Sequence, residues 1–217
     1  MKETEPTFTH RFIPAGRVGA PTLLLLHGTG GDESDLLPLA RDLLPGAALL
    51  SPRGKVLEDG MPRYFRRLAV GEYDLDDLRL RTQELADLVA AATRRYGLDE
   101  ERVVAVGYSN GANMAASLLL SRPEVLAGAV LLRAGVPFEP EAAPALEGVA
   151  VLISAGVQDP YHPIERVERL RRLLEDGGAT VELRWSPGGH SLTREELDGA
   201  ARWLRDAVPA SRMGVTQ

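Results

Sequence analysis

An apolar run, Val103–Val106, leads into Gly107-Tyr108-Ser109-Asn110-Gly111, and an alanine-rich stretch follows with Ala112, Met114, Ala115, Ala116 and Leu118. A serine flanked at two positions on either side by glycine, between a strand and a helix, is the pattern of a nucleophile on a sharp turn. The turn strains the serine backbone. Side chains two positions away would collide with the neighbouring strand and helix, so glycine fits at 107 and 111. The turn also lifts the Ser109 hydroxyl clear of the sheet, at the positive end of the following helix, where developing negative charge is stabilised. The pattern alone is weak in a chain with 22 glycines, and a plain glycine-rich strand–helix turn is the competing reading. The flanking elements and the partner residues weigh against it.

A serine hydroxyl needs a base to act as a nucleophile. The histidines are His10, His27, His162 and His190. With a nucleophile on a strand–turn–helix, the partners follow along the chain in the order serine, acid, histidine. His190 closes the loop Ser186-Pro187-Gly188-Gly189-His190, after a candidate strand and just before the last helix. Its glycines free the loop to carry the imidazole over Ser109. Asp159 lies between them, in Ala155-Gly156-Val157-Gln158-Asp159-Pro160. This loop leaves the carboxyl end of a strand, the sheet edge where open α/β sheets place their ligands. Asp-Pro also reads as simple turn chemistry. His162 precedes Pro163 and reads as a helix-start residue rather than the base. The expected triad is Ser109 as nucleophile, His190 as base and Asp159 as the acid that orients it.

Oxyanion donors are expected from two turns. The residue after the nucleophile, Asn110, supplies one backbone N–H, and Thr29 in His27-Gly28-Thr29-Gly30-Gly31 supplies the other. His27 is expected to brace this loop by hydrogen bonding. A phosphate cradle is the alternative for such a loop, but neither dinucleotide nor Walker spacing is present. Pro52–Tyr73, about 22 residues without clear periodicity, is long for a loop and therefore a functional candidate. Tyr64, Phe65 and Arg66 are its candidate substrate contacts. Arg63, Arg66 and Arg67 read either as a solvated basic loop or as binders of an anionic substrate. Trp185 reads as a packing aromatic beside the His190 loop.

These residues must be positioned by alternating strands and helices. Candidate strands are Thr22–Leu26, Ala47–Leu50, Val103–Val106, Gly128–Leu132, Val149–Ser154 and Val181–Arg184, with Phe8–Pro14 as an antiparallel edge strand. Most are continuously apolar, as expected when helices cover both faces of a parallel sheet. Asp74–Thr93 carries Leu75, Leu78, Leu85, Leu88, Val89 and Ala92 on one helical face. Pro163 suits a first helical position, followed by the stripe Ile164, Val167, Leu170 and Leu174. Thr193 and Glu196 form a capping box for the last helix, with Leu192 and Leu197 as its hydrophobic staple. The fold class expected is α/β: a mostly parallel central sheet with helices on both faces. Residues 1–217 are expected to form a single domain, with 210–217 a frayed tail and Pro137–Pro144 a surface loop.

Composition excludes several classes. The 217 residues are 44% hydrophobic and 26% charged, ordinary for a globular protein. Cysteine is absent, which removes a disulfide framework, a zinc–cysteine site and a cysteine nucleophile, and fits a reducing compartment. The formal net charge of −6 argues against nucleic acid as a partner. The N-terminal residues have no apolar signal core, and the longest apolar run, Leu23–Leu26, is too short to span a bilayer. A cytoplasmic protein without membrane insertion is expected.

Taken together, Leu26-His27-Gly28-Thr29-Gly30-Gly31-Asp32-Glu33, Gly107-Tyr108-Ser109-Asn110-Gly111-Ala112, Gly156-Val157-Gln158-Asp159-Pro160 and Gly188-Gly189-His190 resemble the carboxylesterase/phospholipase branch of the α/β-hydrolases. The resemblance covers nearly the whole chain. It extends, through Met61-Pro62-Arg63-Tyr64-Phe65-Arg66-Arg67, to the small bacterial carboxylesterases of the hydroquinone-operon type. It implies hydrolysis of carboxylic esters or thioesters without cofactor or metal, and often a homodimer. Acyl-protein thioesterases of this branch usually carry Gln where this chain has Asn110, and the related dienelactone hydrolases use a Cys nucleophile. No insertion after Leu132 makes room for the helical cap of many relatives, so an open site for small or short-chain esters is expected. The alternatives are a thioesterase, lysophospholipase or perhydrolase using the same triad, or a ligand-binding relative with no turnover.

Overall fold

The computed structural model of the protein describes residues 8–69 and 71–207. The expected tail at 210–217 lies outside them. The elements are β1 (His10–Ile13), β2 (Thr22–Leu26), α1 (Leu37–Leu43), β3 (Ala48–Pro52), β4 (Val56–Glu58), β5 (Met61–Arg63), β6 (Arg67–Ala69), β7 (Glu72–Tyr73), α2 (Leu75–Tyr96), β8 (Val103–Tyr108), α3 (Asn110–Ser121), β9 (Gly128–Leu132), β10 (Ala150–Gly156), α4 (Ile164–Asp176), β11 (Thr180–Ser186) and α5 (Arg194–Ala207).

Seven strands form the main sheet in the order β1-β3-β2-β8-β9-β10-β11. All neighbours are parallel except β1, which pairs antiparallel with β3 at the edge. Successive strand side chains point to opposite faces, and the core divides accordingly. Leu24, Leu26, Val103, Ala105, Leu131 and Ile153 pack with α2, α3 and α4 on one face. Leu23, Leu25, Val104, Val106, Val130 and Leu152 pack with α1 and α5 on the other. This is why the central strands read as unbroken apolar runs. β11 differs: as the far edge strand it has no fully buried residue, and Val181, Leu183 and Trp185 pack against the first core cluster.

The helix ends follow their sequence signals. Asp74 caps α2 by accepting from the Asp77 N–H at 3.0 Å, and Gly97 ends it with a left-handed φ of 66°. Glu196 accepts from the Thr193 N–H at 2.9 Å and its own N–H donates to Thr193 Oγ1, completing the expected capping box. One detail differs: Pro163 is the N-cap of α4 rather than its first helical residue, because its ψ of 151° is extended.

The larger correction concerns the 52–73 segment, which is not irregular. It folds into two hairpins, β4–β5 and β6–β7. Asp59 and Gly60 both have positive φ, 52° and 79°, the geometry of the tight two-residue turn that favours Asp-Gly. No inserted cap separates β9 from β10. No helix among the described residues is long and apolar enough to cross a membrane.

Candidate active site

Ser109 joins β8 to α3 with φ 54° and ψ −114°, a strained conformation for a residue with a side chain. The glycines beside it are sterically required. A Cβ at Gly107 would stand 2.6 Å from the Gly111 carbonyl oxygen, and one at Gly111 would collide with the Leu26 carbonyl on the neighbouring strand. The hydroxyl is thereby presented at the carboxyl end of the sheet. Asn110 is the first residue of α3, so its N–H has no intrahelical carbonyl to bond.

His190 Nε2 lies 2.8 Å from Ser109 Oγ, and His190 Nδ1 lies 2.8 Å from Asp159 Oδ2. The other carboxylate oxygen, Asp159 Oδ1, accepts from the Tyr161 N–H at 2.9 Å. The acid and histidine loops are laced together: the Gln158 N–H donates to the Gly188 carbonyl at 3.0 Å, and a Cβ at Gly156 would collide with the Gly189 carbonyl. The three residues expected to act together are thus brought into one hydrogen-bonded chain.

The loop after β2 that carries Thr29 is fixed from three sides. His27 Nε2 accepts from the Gly54 N–H at 3.0 Å, which places the proton on Nδ1, where it reaches the Gly28 carbonyl at 2.7 Å. Burial lowers the His27 pKa, so the ring stays neutral and braces the loop. The Gly30 N–H donates to the Pro62 carbonyl at 3.0 Å, and Arg63 Nη1 donates to Thr29 Oγ1 at 2.9 Å. Thr29 therefore lines the cleft with Ser109 and Asn110.

The proposed substrate contacts at Tyr64, Phe65 and Arg66 need correction. Tyr64 and Phe65 are fully buried. The Tyr64 N–H donates to Asn110 Oδ1 at 2.8 Å and its hydroxyl to the Pro52 carbonyl at 2.7 Å. Phe65 packs edge-on against Tyr73. Arg66 turns to solvent and pairs with Asp74 at 2.9 Å. These residues hold the hairpins onto the Ser109 turn instead of facing a ligand. The wall of the cleft, about 280 Å³ in volume, comes from Arg63, Arg67, Tyr73, Asn113, Tyr161 and His162. Asn113 is fixed there by accepting from the Gly135 N–H at 3.1 Å and donating to the Tyr73 hydroxyl at 2.9 Å.

His162 is buried, with its ring centre 5.9 Å from that of His190. It is not the partner of Ser109. Burial pushes its pKa down to about 4, with Asp159 opposing the shift and His190 and Arg166 adding to it. The folded ring therefore charges far below the ordinary value of 6.5. Unfolded chains bind the extra proton first, so the stabilisation is complete above about pH 6.5 and is lost as pH falls toward 4. Denaturant titrations at pH 6.5 and 4.5 should show a larger stability loss for the native protein than for His162→Gln. Equal losses would contradict the buried, neutral ring.

Sequence reasoning missed Arg133, the residue after β9. Its side chain is fully buried, its φ is 62°, and it pairs with Glu196 at 2.7 Å. It also donates to the Gly189 carbonyl at 2.8 Å and the Ser191 carbonyl at 2.7 Å, those of the residues on either side of His190. A lone arginine ending an apolar strand was the available signal.

The sequence model of the phospholipase/carboxylesterase family matches residues 10–207. The chain is 48% identical over 186 residues to the putative hydrolase MhqD of Bacillus subtilis, a match covering 86% of this chain and 93% of that protein. The crystal structure of the Bacillus cereus carboxylesterase superposes with a TM-score of 0.91 at 45% identity, covering 94% of this chain and 96% of that one. A carboxylesterase from Mesorhizobium loti superposes at 0.86 with 34% identity, covering 93% and 96%. A seven-stranded sheet with helices on both faces, a serine on a strained strand–helix turn and this breadth of similarity lead to one conclusion: the chain belongs to the phospholipase/carboxylesterase family of α/β-hydrolases and is an ester hydrolase.

Proposed function

We propose that the chain hydrolyses short-chain carboxylic esters through an acyl-enzyme on Ser109. The observation that carries this reading is the chain of two 2.8 Å contacts from Ser109 through His190 to Asp159. His190 Nε2 takes the hydroxyl proton as Oγ bonds to the acyl carbon. The N–H groups of Thr29 and Asn110 hold the resulting oxyanion, and Asp159 fixes the tautomer of His190 and stabilises its cation. The carbon–oxygen bond to the alcohol breaks as His190 returns the proton. Water then attacks the acyl-enzyme with the same base, releasing the acid and restoring Ser109.

A short acyl chain is supported by the size and polarity of the cleft. Its wall is made of Arg63, Arg67, Asn113, tyrosines and His162, with no continuous apolar tunnel among the lining residues. Across p-nitrophenyl acetate, butyrate, octanoate and laurate, kcat/KM should peak at acetate or butyrate and fall by roughly tenfold or more at laurate. A maximum at laurate would overturn the short-chain reading while leaving the nucleophile in place.

A further inference from the structure

Arg63 and Arg67 line the cleft that holds Ser109 and His190. Their charge is only partly answered. One carboxylate serves both: Glu58 lies 3.1 Å from Arg63 Nε and 2.7 Å from Arg67 Nε. The remaining hydrogen bonds of Arg63 go to neutral acceptors, the Phe65 carbonyl and Thr29 Oγ1. Asp159, the carboxylate held by His190 and the Tyr161 N–H, forms no ion pair with either guanidinium. The lining of the cleft thus carries two guanidiniums that share one carboxylate, Glu58.

Such an arrangement is costly in an empty protein. The Arg63 side chain is only 4% exposed, and burial lowers its pKa. A desolvated cation with half a counterion regains stabilisation when an anion docks beside it. The planar guanidinium fork matches a carboxylate. The contact of Arg63 with Thr29 Oγ1 sets this charge against the loop proposed to hold the oxyanion. Free volume of about 280 Å³ holds a small acid rather than a lipid chain.

We infer that the preferred ester is a short monoester of a dicarboxylic acid, whose free carboxylate is held by Arg63 and Arg67 while Ser109 attacks the esterified carbonyl. The inference rests on the serine-esterase reading above. Turnover breaks the ester carbon–oxygen bond, adds the oxygen of water to the acyl carbon and releases an alcohol and the dicarboxylate.

The test compares kcat/KM for monomethyl glutarate with that for dimethyl glutarate, the neutral ester of the same acid, by proton release at low salt. The native protein should prefer the monoanion by roughly tenfold or more, and added salt should erode the preference. Arg67→Gln should cut this ratio by roughly tenfold, while Arg67→Lys keeps part of it. The ratio cancels general damage to the enzyme. A native ratio at or below one, or a ratio unmoved in Arg67→Gln, would overturn the subsite. Hydrolysis of p-nitrophenyl acetate, measured alongside, separates the two readings. If it proceeds and the ratio fails, only the carboxylate subsite falls; if no ester turns over, the serine-esterase reading falls and takes the subsite with it.

Discussion

Ser109→Ala lowers kcat toward esters by roughly four to six orders of magnitude, the range seen when one member of a serine triad is removed. The size of the effect follows from the geometry. The alanine variant keeps the turn and the backbone N–H groups of Thr29 and Asn110 that are proposed to hold the oxyanion. It loses the one oxygen that stands 2.8 Å from His190 Nε2. Acyl-enzyme formation is then impossible, and only slow direct attack by water remains. The fold is spared: the left-handed backbone at φ 54° is held by Gly107 and Gly111 and by the Ser109 N–H bond to the Leu132 carbonyl, all independent of the hydroxyl. Thermal unfolding should therefore be nearly unchanged, and a variant that keeps more than about one hundredth of native kcat would contradict the role of Ser109.

Arg133→Leu destabilises the protein by about 3–5 kcal/mol, the cost of breaking a buried pair by removing one partner. Glu196 would remain largely buried, at 11% exposure, with its charge unanswered. The effect extends to catalysis, because the Gly189 and Ser191 carbonyls lose the guanidinium that pins the His190 loop. A displacement of the imidazole by even 1 Å costs about a hundredfold in rate. The pH dependence has a definite sign. Burial opposes the Glu196 carboxylate, yet hydrogen bonds from Arg133, Thr193 and Ser154 outweigh it and hold its pKa at about 2, below the ordinary 4.5. The stabilisation is therefore complete above about pH 4.5 and is lost as pH falls toward 2, so the native protein and Arg133→Leu converge in acid. Urea denaturation at pH 7 and pH 3 measures both. A loss below about 1 kcal/mol at pH 7, the scale of an exposed ion pair, would contradict the account.

The parts of this molecule governed by local rules were legible in its sequence. The buried strands β2, β8, β9 and β10 are unbroken apolar runs because helices cover both faces, and the capping residues Asp74 and Thr193 stand at the helix starts. Glycines at 107 and 111 announced the nucleophile turn, since no side chain fits there. The chain order of Ser109, Asp159 and His190 then identified three residues that the fold brings within hydrogen-bonding distance. What escaped was set by contacts distant in sequence. Tyr64 and Phe65 resembled exposed recognition aromatics in a loop without periodicity. The Asp59-Gly60 turn and the bond from the Tyr64 N–H to Asn110 Oδ1 fold them inward instead. The same hairpin turns Arg63 into the cleft and Arg66 out of it, a distinction that no local pattern encodes. Arg133 and Glu196 are 63 residues apart, and their pairing depends on β9 and the start of α5 meeting behind the histidine loop.

The proposed mechanism turns on Ser109 as the activated nucleophile. Labelling the native protein with a fluorophosphonate and mapping the modified peptide by mass spectrometry tests that role. One adduct is expected, on Ser109, and it is abolished in His190→Ala. Adduct on another residue, or a Ser109 that resists the probe in a folded protein, would contradict it.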